Sequence, residues 1–333
     1  MLPALGTVAL ALTVPFRLPE QTSKGTRRYR STCGPHLYLT VSGMRRDISL
    51  ICSLIVGICA PAYGTTKRAP STQIVHLNHF YATVDAETVA AIRNSAFLKR
   101  FANLEVRTTK GTLSTWTGTY FYGRETYAEF FGPGDFQIGG NPAPVGGWGI
   151  ALSGDRLGHI AELKLRLDSV GLRAVVELDT RTFGTRKFLW FTALTAVSQH
   201  GDSGGRNDVV SAWAMEYVPS YFDLPEVAKE PAEGAADVIS RERYQSDLYR
   251  QKMMRDVTRV EFDVKAKDYA RIDPMLRAAG FKMRRSGNRV VAGGEENDLV
   301  FHLAGTMRLR KIEFSLNAPV GREVHVLGKS RHQ

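Results

Sequence analysis

The sequence predicts an α+β protein assembled from repeated units. One pattern occurs three times: a short strand, an amphipathic helix, and further strands that end in a glutamate between large apolar residues. Helices alternate with strands along the chain, which is unlike an all-β protein. A sheet with one helix leaves its second face uncovered, so two such units are expected to pair around a shared interior.

The first unit begins with a strand over residues 77–85. Asp85 is placed to cap the helix that follows over residues 86–102. Residues 103–134 then have the composition of β-strands, the last two joined by a turn at residues 123–124.

The second unit begins with a strand over residues 146–154, followed by a helix over residues 155–170 that Gly171 closes. Its remaining strands are predicted over residues 172–182, 187–197 and 211–222. The first two units together make a domain over residues 74–222.

A linker and a polar helix separate the second unit from the third. Residues 223–238 are rich in Pro, Ala and Glu, and a polar helix is predicted over residues 240–253, so the connecting segment spans residues 223–256. The third unit, over residues 257–318, has the same order of elements. Its helix is predicted over residues 267–280 and ends at Gly280, with Asp273 and Pro274 restarting it midway. Its strands are predicted over residues 257–266, 281–294, 297–304 and 309–317.

Residues 44–64 have the layout of a secretory signal peptide. Two arginines precede an apolar run over residues 48–59, and small residues follow, with cleavage expected after Ala62 or Gly64. A retained N-terminal anchor is the alternative, although the apolar run is short for a membrane span. Residues 1–43 fit neither a signal peptide nor an anchor. We expect translation to start at Met44, so that these residues are an over-long gene start.

The cysteines and the charge limit the classes of function. All three cysteines, Cys33, Cys52 and Cys59, precede residue 65, so the rest of the chain has no disulfide, thiolate metal site or cysteine nucleophile. Export without disulfides suits a bacterial periplasm or exterior, with no stable membrane insertion after cleavage. The formal net charge is +11, but the basic residues are scattered and no aromatic residues alternate with them, so nucleic acid is not a predicted partner.

The three units align on their last predicted strands, through Glu129, Glu216 and Glu313. This paired βαβββ pattern resembles the vicinal oxygen chelate superfamily, which includes glyoxalase, bleomycin-resistance and extradiol-dioxygenase proteins. The segments LNHFY, TGTYFYGRETYAEFF, WAMEYVPSYF and SRERY are more similar still to an exported bacterial branch of uncharacterised function. The resemblance covers roughly residues 74–316. It implies a glyoxalase-like half-barrel of two units, with the third unit beside it.

Side-chain alternation separates the third unit from the first two. Its strands have one polar side, so Glu261 and Glu313 are expected to face solvent. The strands that carry His79, Glu129 and Glu216 are apolar on both faces. A carboxylate there requires a partner, because burying it unpaired costs several kcal/mol.

The resemblance implies a cavity between the first two units whose metal ligands come from their first and last strands. Carried over to this sequence, those ligands are His79, Glu129 and Glu216, while Gly149 and Ile150 at the fourth position cannot ligate. One imidazole and two carboxylates suit divalent iron, manganese or zinc. The same trio has two other readings: a metal-free pocket with Glu129 or Glu216 as the catalytic general base, or a hydrogen-bonded core cluster. The predicted pocket-lining residues are Tyr81, Tyr127 and Trp213.

Three functions follow from these alternatives. The first is an enzyme acting on a small molecule as a lyase, isomerase or dioxygenase. The second is a non-catalytic module that sequesters or senses a small-molecule ligand. The third is a structural or interaction protein. The sequence leaves open whether the units pair within one chain or in a homodimer.

The segment at residues 201–205, GDSGG, is spelled like the nucleophile loop of chymotrypsin-like serine proteases. The histidine context of that family is missing, and His79 is predicted inside a strand. Gly, Asp and Ser are turn-forming residues, so the sequence favours a loop between two strands over a protease.

Overall fold

The structure is a computed structural model. It describes residues 7–13, 36–42, 73–112, 114–138, 140–197, 209–227, 239–318 and 324–327. The predicted signal peptide at residues 44–64 and the GDSGG segment lie outside these residues. None of the helices in the described ranges is both long and apolar enough to span a bilayer.

Strands account for more of the described residues than helices do. In chain order they are β1 (Thr7–Thr13), β2 (His36–Ser42), β3 (His76–Thr83), β4 (Asn103–Lys110), β5 (Thr115–Tyr122), β6 (Tyr127–Phe131), β7 (Gln137–Ile138), β8 (Asn141–Pro142), β9 (Trp148–Ser153), β10 (Arg173–Phe183), β11 (Arg186–Val197), β12 (Val210–Tyr217), β13 (Met254–Val264), β14 (Lys282–Ser286), β15 (Arg289–Gly293), β16 (Asp298–Leu303), β17 (Arg308–Leu316) and β18 (Val324–Leu327). The helices are α1 (Ala86–Asn94), α2 (Ala96–Phe101), α3 (His159–Ser169), α4 (Arg241–Tyr244) and α5 (Ala266–Ala279), with 3₁₀ turns at Pro219–Tyr221 and Asp247–Gln251.

The first two units share one eight-stranded sheet, in the order β10-β11-β12-β9-β3-β6-β5-β4. Within each unit the first and last strands run parallel, β3 with β6 and β9 with β12, and the units meet where β3 and β9 pair antiparallel. The sheet curls until its two edges approach, and the Thr112 hydroxyl lies 2.9 Å from that of Thr180. The predicted α+β class and the half-barrel of two βαβββ units are confirmed.

Two β-bulges lie in this sheet. In β3, Leu77 pairs with Leu152 and His79 with Ala151, which leaves Asn78 unpaired between them. In β11, the pairing skips Trp190. A bulge adds one residue to a strand and shifts the alternation of its side chains by one position. As a result Leu77 joins the apolar core while His79 lies on the concave face.

The convex face of the sheet is covered by helices and by the third unit. Phe80, Ile150 and Ala214 share one core with residues of α1, α3 and α5. The third unit packs here through Phe262, whose ring stacks on that of Trp148 with 4.1 Å between centroids. The concave face is left to form a cavity.

The third unit repeats the strand order of the first, with β14-β15-β16-β13 in place of β4-β5-β6-β3. Its closing strand is therefore β16, which runs parallel to β13. The expected alignment of Glu313 with Glu129 is wrong, because Glu313 lies on β17, which pairs antiparallel to β13 as β9 does to β3. The sheet continues through β17, β1, β2 and β18, with Thr7 opposite Ser315. A translation start at Met44 stays a prediction.

The helices of the first and second units differ from the sequence prediction in their ends. Asp85 caps α1 as predicted, by accepting from Thr88 N. The single helix predicted after it is two, because the Ser95 side chain accepts from Leu98 N and so begins α2. Val170 is the C-terminal cap of α3, and Gly171 follows it at φ 75°.

Two later helices also differ. The polar helix predicted over residues 240–253 is only the short α4 followed by a 3₁₀ turn, with Ser240 capping the first and Ser246 the second. Helix α5 runs through Pro274 without a restart and ends at Gly280 as predicted, with φ 98°. Asp273 does not cap a new helix, because its carboxylate accepts from the Tyr269 hydroxyl and from Arg277 Nε instead.

Candidate functional site

The concave face of the first sheet encloses a cavity of about 460 Å³. Its wall is rich in aromatic residues, and Tyr81, Tyr127 and Trp213 lie in it, as do His79 and Glu129. Strands of both units contribute, and Tyr244 of α4 adds one side. The further aromatic residues of the wall are Trp116, Tyr120, Phe131, Phe136, Trp190 and Phe191. Such a wall suits a small, flat, largely apolar ligand.

Glu129 is the buried carboxylate of this wall. It lies at the centre of β6, opposite Tyr81 on one neighbouring strand and Tyr120 on the other, and is 5% exposed. Its Oε1 is fully buried and has no hydrogen-bond partner among the described residues. Burial raises the pKa of Glu129 to about 7, against the opposing effects of the Tyr120 hydroxyl, the Arg107 guanidinium and the Trp116 indole.

The space for this carboxylate depends on Gly118 of β5. A Cβ at this position would lie 2.5 Å from Glu129 Oε1 and 2.6 Å from the Tyr120 hydroxyl oxygen. The Tyr120 hydroxyl is held on its other side by Trp116, whose Nε1 donates to it over 3.0 Å. Only glycine leaves room for the carboxylate and the phenol together.

His79 is a buried, neutral imidazole. Its ring stacks on Tyr127 and meets Trp213 edge-on. Asn78, the bulged residue, donates from Nδ2 to the Tyr217 hydroxyl, and its Oδ1 lies 2.8 Å from His79 Nδ1. Since an amide oxygen only accepts, Nδ1 donates and Nε2 keeps its lone pair. Burial lowers the pKa of His79 to about 3.

Glu216 does not share this cavity, which corrects the expectation that three polar side chains converge. It points to the convex face, where its carboxylate accepts from Gly158 N and Ile160 N at the start of α3. The cavity-facing residues of β12 are Trp213 and Met215. Glu216 thus satisfies backbone N–H groups at a helix N-terminus, a position that favours a negative charge.

The predicted metal-ligand set is therefore incomplete. His79 and Glu129 face the cavity, but Glu216 is turned away, and the ring of Tyr81 fills the space beside Gly149 where a fourth ligand was sought. No group of three His, Cys, Asp or Glu suited to a metal ion occurs among the residues that the structure describes. The donors present do not fit the divalent iron, manganese or zinc centre that the resemblance implied.

Several residues of the site were missed by the sequence reasoning. Arg107 lies in the wall of the cavity, Gly118 makes room in it, and Asn78 fixes the imidazole. Arg107 alternates with Glu105 on β4, which by itself resembles a solvated face. Tyr244 belongs to a segment predicted as a polar helix, and nothing in the local sequence indicates that it reaches the cavity.

Comparison with known proteins gives a family and a set of distant structures. A family model described as DUF5829, a family of unknown function, matches residues 77–333. No curated protein sequence matches the chain. A hypothetical protein from Staphylococcus aureus is 10% identical with a TM-score of 0.43, over 71% of this chain and 88% of that one.

Two further structures belong to enzymes. The Mn(II)-bound glyoxalase from Novosphingobium aromaticivorans is 7% identical with a TM-score of 0.37, over 71% of this chain and 64% of that one. Homoprotocatechuate 2,3-dioxygenase from Arthrobacter globiformis is 11% identical with a TM-score of 0.37, over 73% of this chain and 63% of that one. The chain thus spans less than two thirds of the length of either enzyme.

Proposed function

The chain belongs to the DUF5829 family of unknown function, and we propose that it binds a small, flat molecule in its aromatic cavity and moves a proton on it through Glu129. The observation that carries this proposal is the burial of Glu129 in the cavity wall, where its Oε1 has no hydrogen-bond partner among the described residues. A buried carboxylate oxygen without a partner disfavours the charged form, so Glu129 can both take up and release a proton.

The pKa of Glu129 supports acid–base chemistry. At about 7, both the acid and the carboxylate are well populated at neutral pH. A general base works best when its pKa lies close to the operating pH. The step is removal of a proton from the ligand: a C–H bond breaks, an O–H bond forms on Glu129, and the electron pair stays on the ligand. Return of the proton to another atom completes an isomerisation, and loss of a leaving group completes an elimination.

The neighbours of Glu129 have supporting roles. His79 Nε2 is an acceptor, so it orients a ligand through one of the ligand's N–H or O–H groups. The Tyr120 hydroxyl accepts from Trp116 and keeps its own proton, because burial raises its pKa well above the ordinary value. It lies beside Glu129 and lowers the pKa of that carboxyl, against the larger effect of burial.

The ring opening of 5-nitrobenzisoxazole tests this proposal without the natural substrate. A base takes the ring C–H proton, the N–O bond breaks, and the product is a coloured cyanophenolate. We expect turnover that rises with pH around 7 and falls at least about a hundredfold in Glu129→Gln. Glu177→Gln is the matched control, since Glu177 lies exposed at the same cavity. Equal rates in wild type and Glu129→Gln would disprove the proposed chemistry.

A non-catalytic binding module is the second candidate. The density of aromatic rings favours it, because Tyr81 lies 6.0 Å from Trp213 and Trp116 lies 6.4 Å from Trp190 between centroids, a wall suited to stacking. This candidate predicts that flat aromatic probes raise the melting temperature equally in wild type and Glu129→Gln, with no Glu129-dependent turnover.

Export to the periplasm or exterior is part of the same proposal. It rests on the signal-like layout of residues 44–64. The N-terminus of the protein recovered from a bacterial host tests it: cleavage after Ala62 or Gly64 supports export, and an intact N-terminal segment argues against it.

A further inference from the structure

A second cavity of about 430 Å³ adjoins the first. The two share Arg107 and Tyr244 in their walls, so they lie side by side at these residues. The second cavity differs in character, because Arg181 and Arg243 line it together with Arg107. Its carboxylates are Glu105, Glu226 and Asp247.

Arg181 is the most buried of these arginines, at 8% exposure. Its Nη1 donates to the Tyr221 hydroxyl over 2.7 Å, and its guanidinium carbon lies 4.6 Å from the ring centroid of Phe183 and 5.3 Å from that of Trp190. Within the described ranges it forms no ion pair and no second hydrogen bond. A guanidinium has five N–H donors, so most of the donors of Arg181 are left for a ligand.

Arg107 brings a second positive charge to the same cavity. Its guanidinium carbon lies 4.7 Å from the ring centroid of Tyr120, and its ion pair with the half-exposed Glu105 is a long one of 3.6 Å.

The other two carboxylates of this wall, Glu226 and Asp247, each form an ion pair with an arginine other than Arg181. Glu226 lies 3.7 Å from Arg186, and Asp247 lies 3.7 Å from Arg250. Neither forms an ion pair with Arg181 in the part of the chain that the structure describes. Among the described residues, the wall therefore holds a buried cation without a buried anion beside it, and an anion from outside would stabilise this arrangement.

We propose that Arg181 and Arg107 form an anion subsite, which binds the carboxylate or phosphate group of a ligand whose flat ring occupies the first cavity. The inference rests on the proposed function for the position of the ring. Arginine suits this role, because its planar fork binds carboxylate and phosphate oxygens in pairs. The rings of Phe183 and Trp190 hold the Arg181 fork in place before the ligand arrives. The ligand class is thus a small aromatic acid or aromatic phosphate.

Calorimetric binding of three matched probes tests the subsite: 4-nitrobenzoate, 4-nitrophenyl phosphate and the neutral 4-nitrobenzyl alcohol. In wild type we expect at least one anionic probe to bind tenfold to a hundredfold tighter than the alcohol, as is typical of charge-assisted hydrogen bonds. Comparison of 4-nitrobenzoate with 4-nitrophenyl phosphate distinguishes a carboxylate site from a phosphate site. Equal affinity of all three probes for wild type would overturn the subsite, and this comparison needs no variant.

Variants then locate the subsite. Arg181→Met keeps most of the apolar volume and should remove the preference for the anionic probe, whereas Arg181→Lys should retain part of it. Arg186→Met is the matched control, since Arg186 lies exposed nearby on β11 and should leave the preference intact. An unchanged preference in a folded Arg181→Met protein would contradict the assignment.

The proposed function fails separately from the subsite. Glu129-dependent ring opening of the neutral benzisoxazole, without any preference for anions, leaves the proposed function intact and removes the subsite. A preference for anions without Glu129-dependent ring opening supports the subsite and contradicts the proposed proton transfer.

Discussion

The imidazole of His79 lies flat on the ring of Tyr127, with 4.3 Å between the ring centroids and 14° between the planes. The Asn78 amide oxygen accepts a hydrogen bond from Nδ1 of the His79 ring. Stacking fixes the plane of the imidazole and the hydrogen bond fixes its tautomer. The cavity therefore presents one acceptor nitrogen whose direction does not depend on a ligand.

We expect His79 to stay neutral over the range in which an ordinary histidine titrates. Its pKa is about 3 in the folded protein and 6.5 in the unfolded chain, so only the unfolded chain gains a proton between these values. The contribution of His79 therefore lowers the free energy of unfolding as the pH falls from 6.5 towards 3. Nitrogen chemical shifts should show no titration of His79 above pH 5. Asn78→Ala should give a mixture of tautomers, and a titration midpoint near 6.5 in wild type would contradict the burial argument.

Glu129 should make stability depend on pH in the opposite direction. Its pKa is about 7 when folded against 4.5 in the unfolded chain, so its contribution is fully present below pH 4.5 and lost as the pH rises through 7. Relative to wild type, Glu129→Gln should therefore become more stable between pH 4.5 and pH 8, by about 3 kcal/mol. Urea unfolding of both proteins at several pH values measures this, with Glu177→Gln as control. A difference that does not change with pH would show that Glu129 titrates normally.

Gly118→Ala should damage the site more than the fold. The added Cβ would overlap Glu129 Oε1 and the Tyr120 hydroxyl, so one of them has to move. A displacement of this kind is expected to lower benzisoxazole turnover about tenfold to a hundredfold, with a loss of stability of about 1–3 kcal/mol. Gly305→Ala is the matched control, because nothing lies within 4 Å of a Cβ there. Undiminished turnover in Gly118→Ala would mean that the carboxylate position is not critical.

The sequence predicts the architecture better than it predicts the site. Strand and helix periods are local signals, so the βαβββ units and the Asp85 cap are readable from the chain. The bulges at Asn78 and Trp190 are not, because they arise from pairing between strands. Each bulge changes which side chains face the cavity, so inward and outward positions cannot be assigned from alternation alone.

Glu129 and Glu216 show the same limit. Each lies in a closing strand between apolar residues, and the sequence treats them as equivalent. In the structure they face opposite sides of the sheet, because the cavity-facing positions of β12 hold Trp213 and Met215. The exposed N-terminus of α3, which Glu216 caps, is visible only when the helix is placed beside the strand.

Glu216→Ala should lower the free energy of unfolding and leave the cavity unchanged. The Gly158 and Ile160 N–H groups would lose their acceptor, a loss of about 1 kcal/mol for a helix N-terminus. Glu216→Gln retains one oxygen as acceptor and should cost less. Benzisoxazole turnover per folded molecule should match wild type in both variants. A large loss of turnover at unchanged stability would instead restore Glu216 to the site.

Arg241 connects the cavity wall to the rest of the protein. It is 1% exposed, its Nη1 donates to the Leu77 carbonyl beside the β3 bulge, and its other nitrogens bond Asp155 and Glu296 of two different units. It thereby anchors α4, which carries Tyr244.

Asp155→Asn would leave this buried cation with weaker compensation, so we expect a loss of about 3 kcal/mol in unfolding free energy. Asp168→Asn breaks the exposed pair with Lys164 and should cost about 0.5 kcal/mol or less. Urea unfolding of the two variants compares them directly. Equal small losses would mean that solvent or another carboxylate, such as Glu296 at 2.8 Å, compensates Arg241 in place of Asp155. In that event Asp155→Asn,Glu296→Gln together should show the loss that the single change does not.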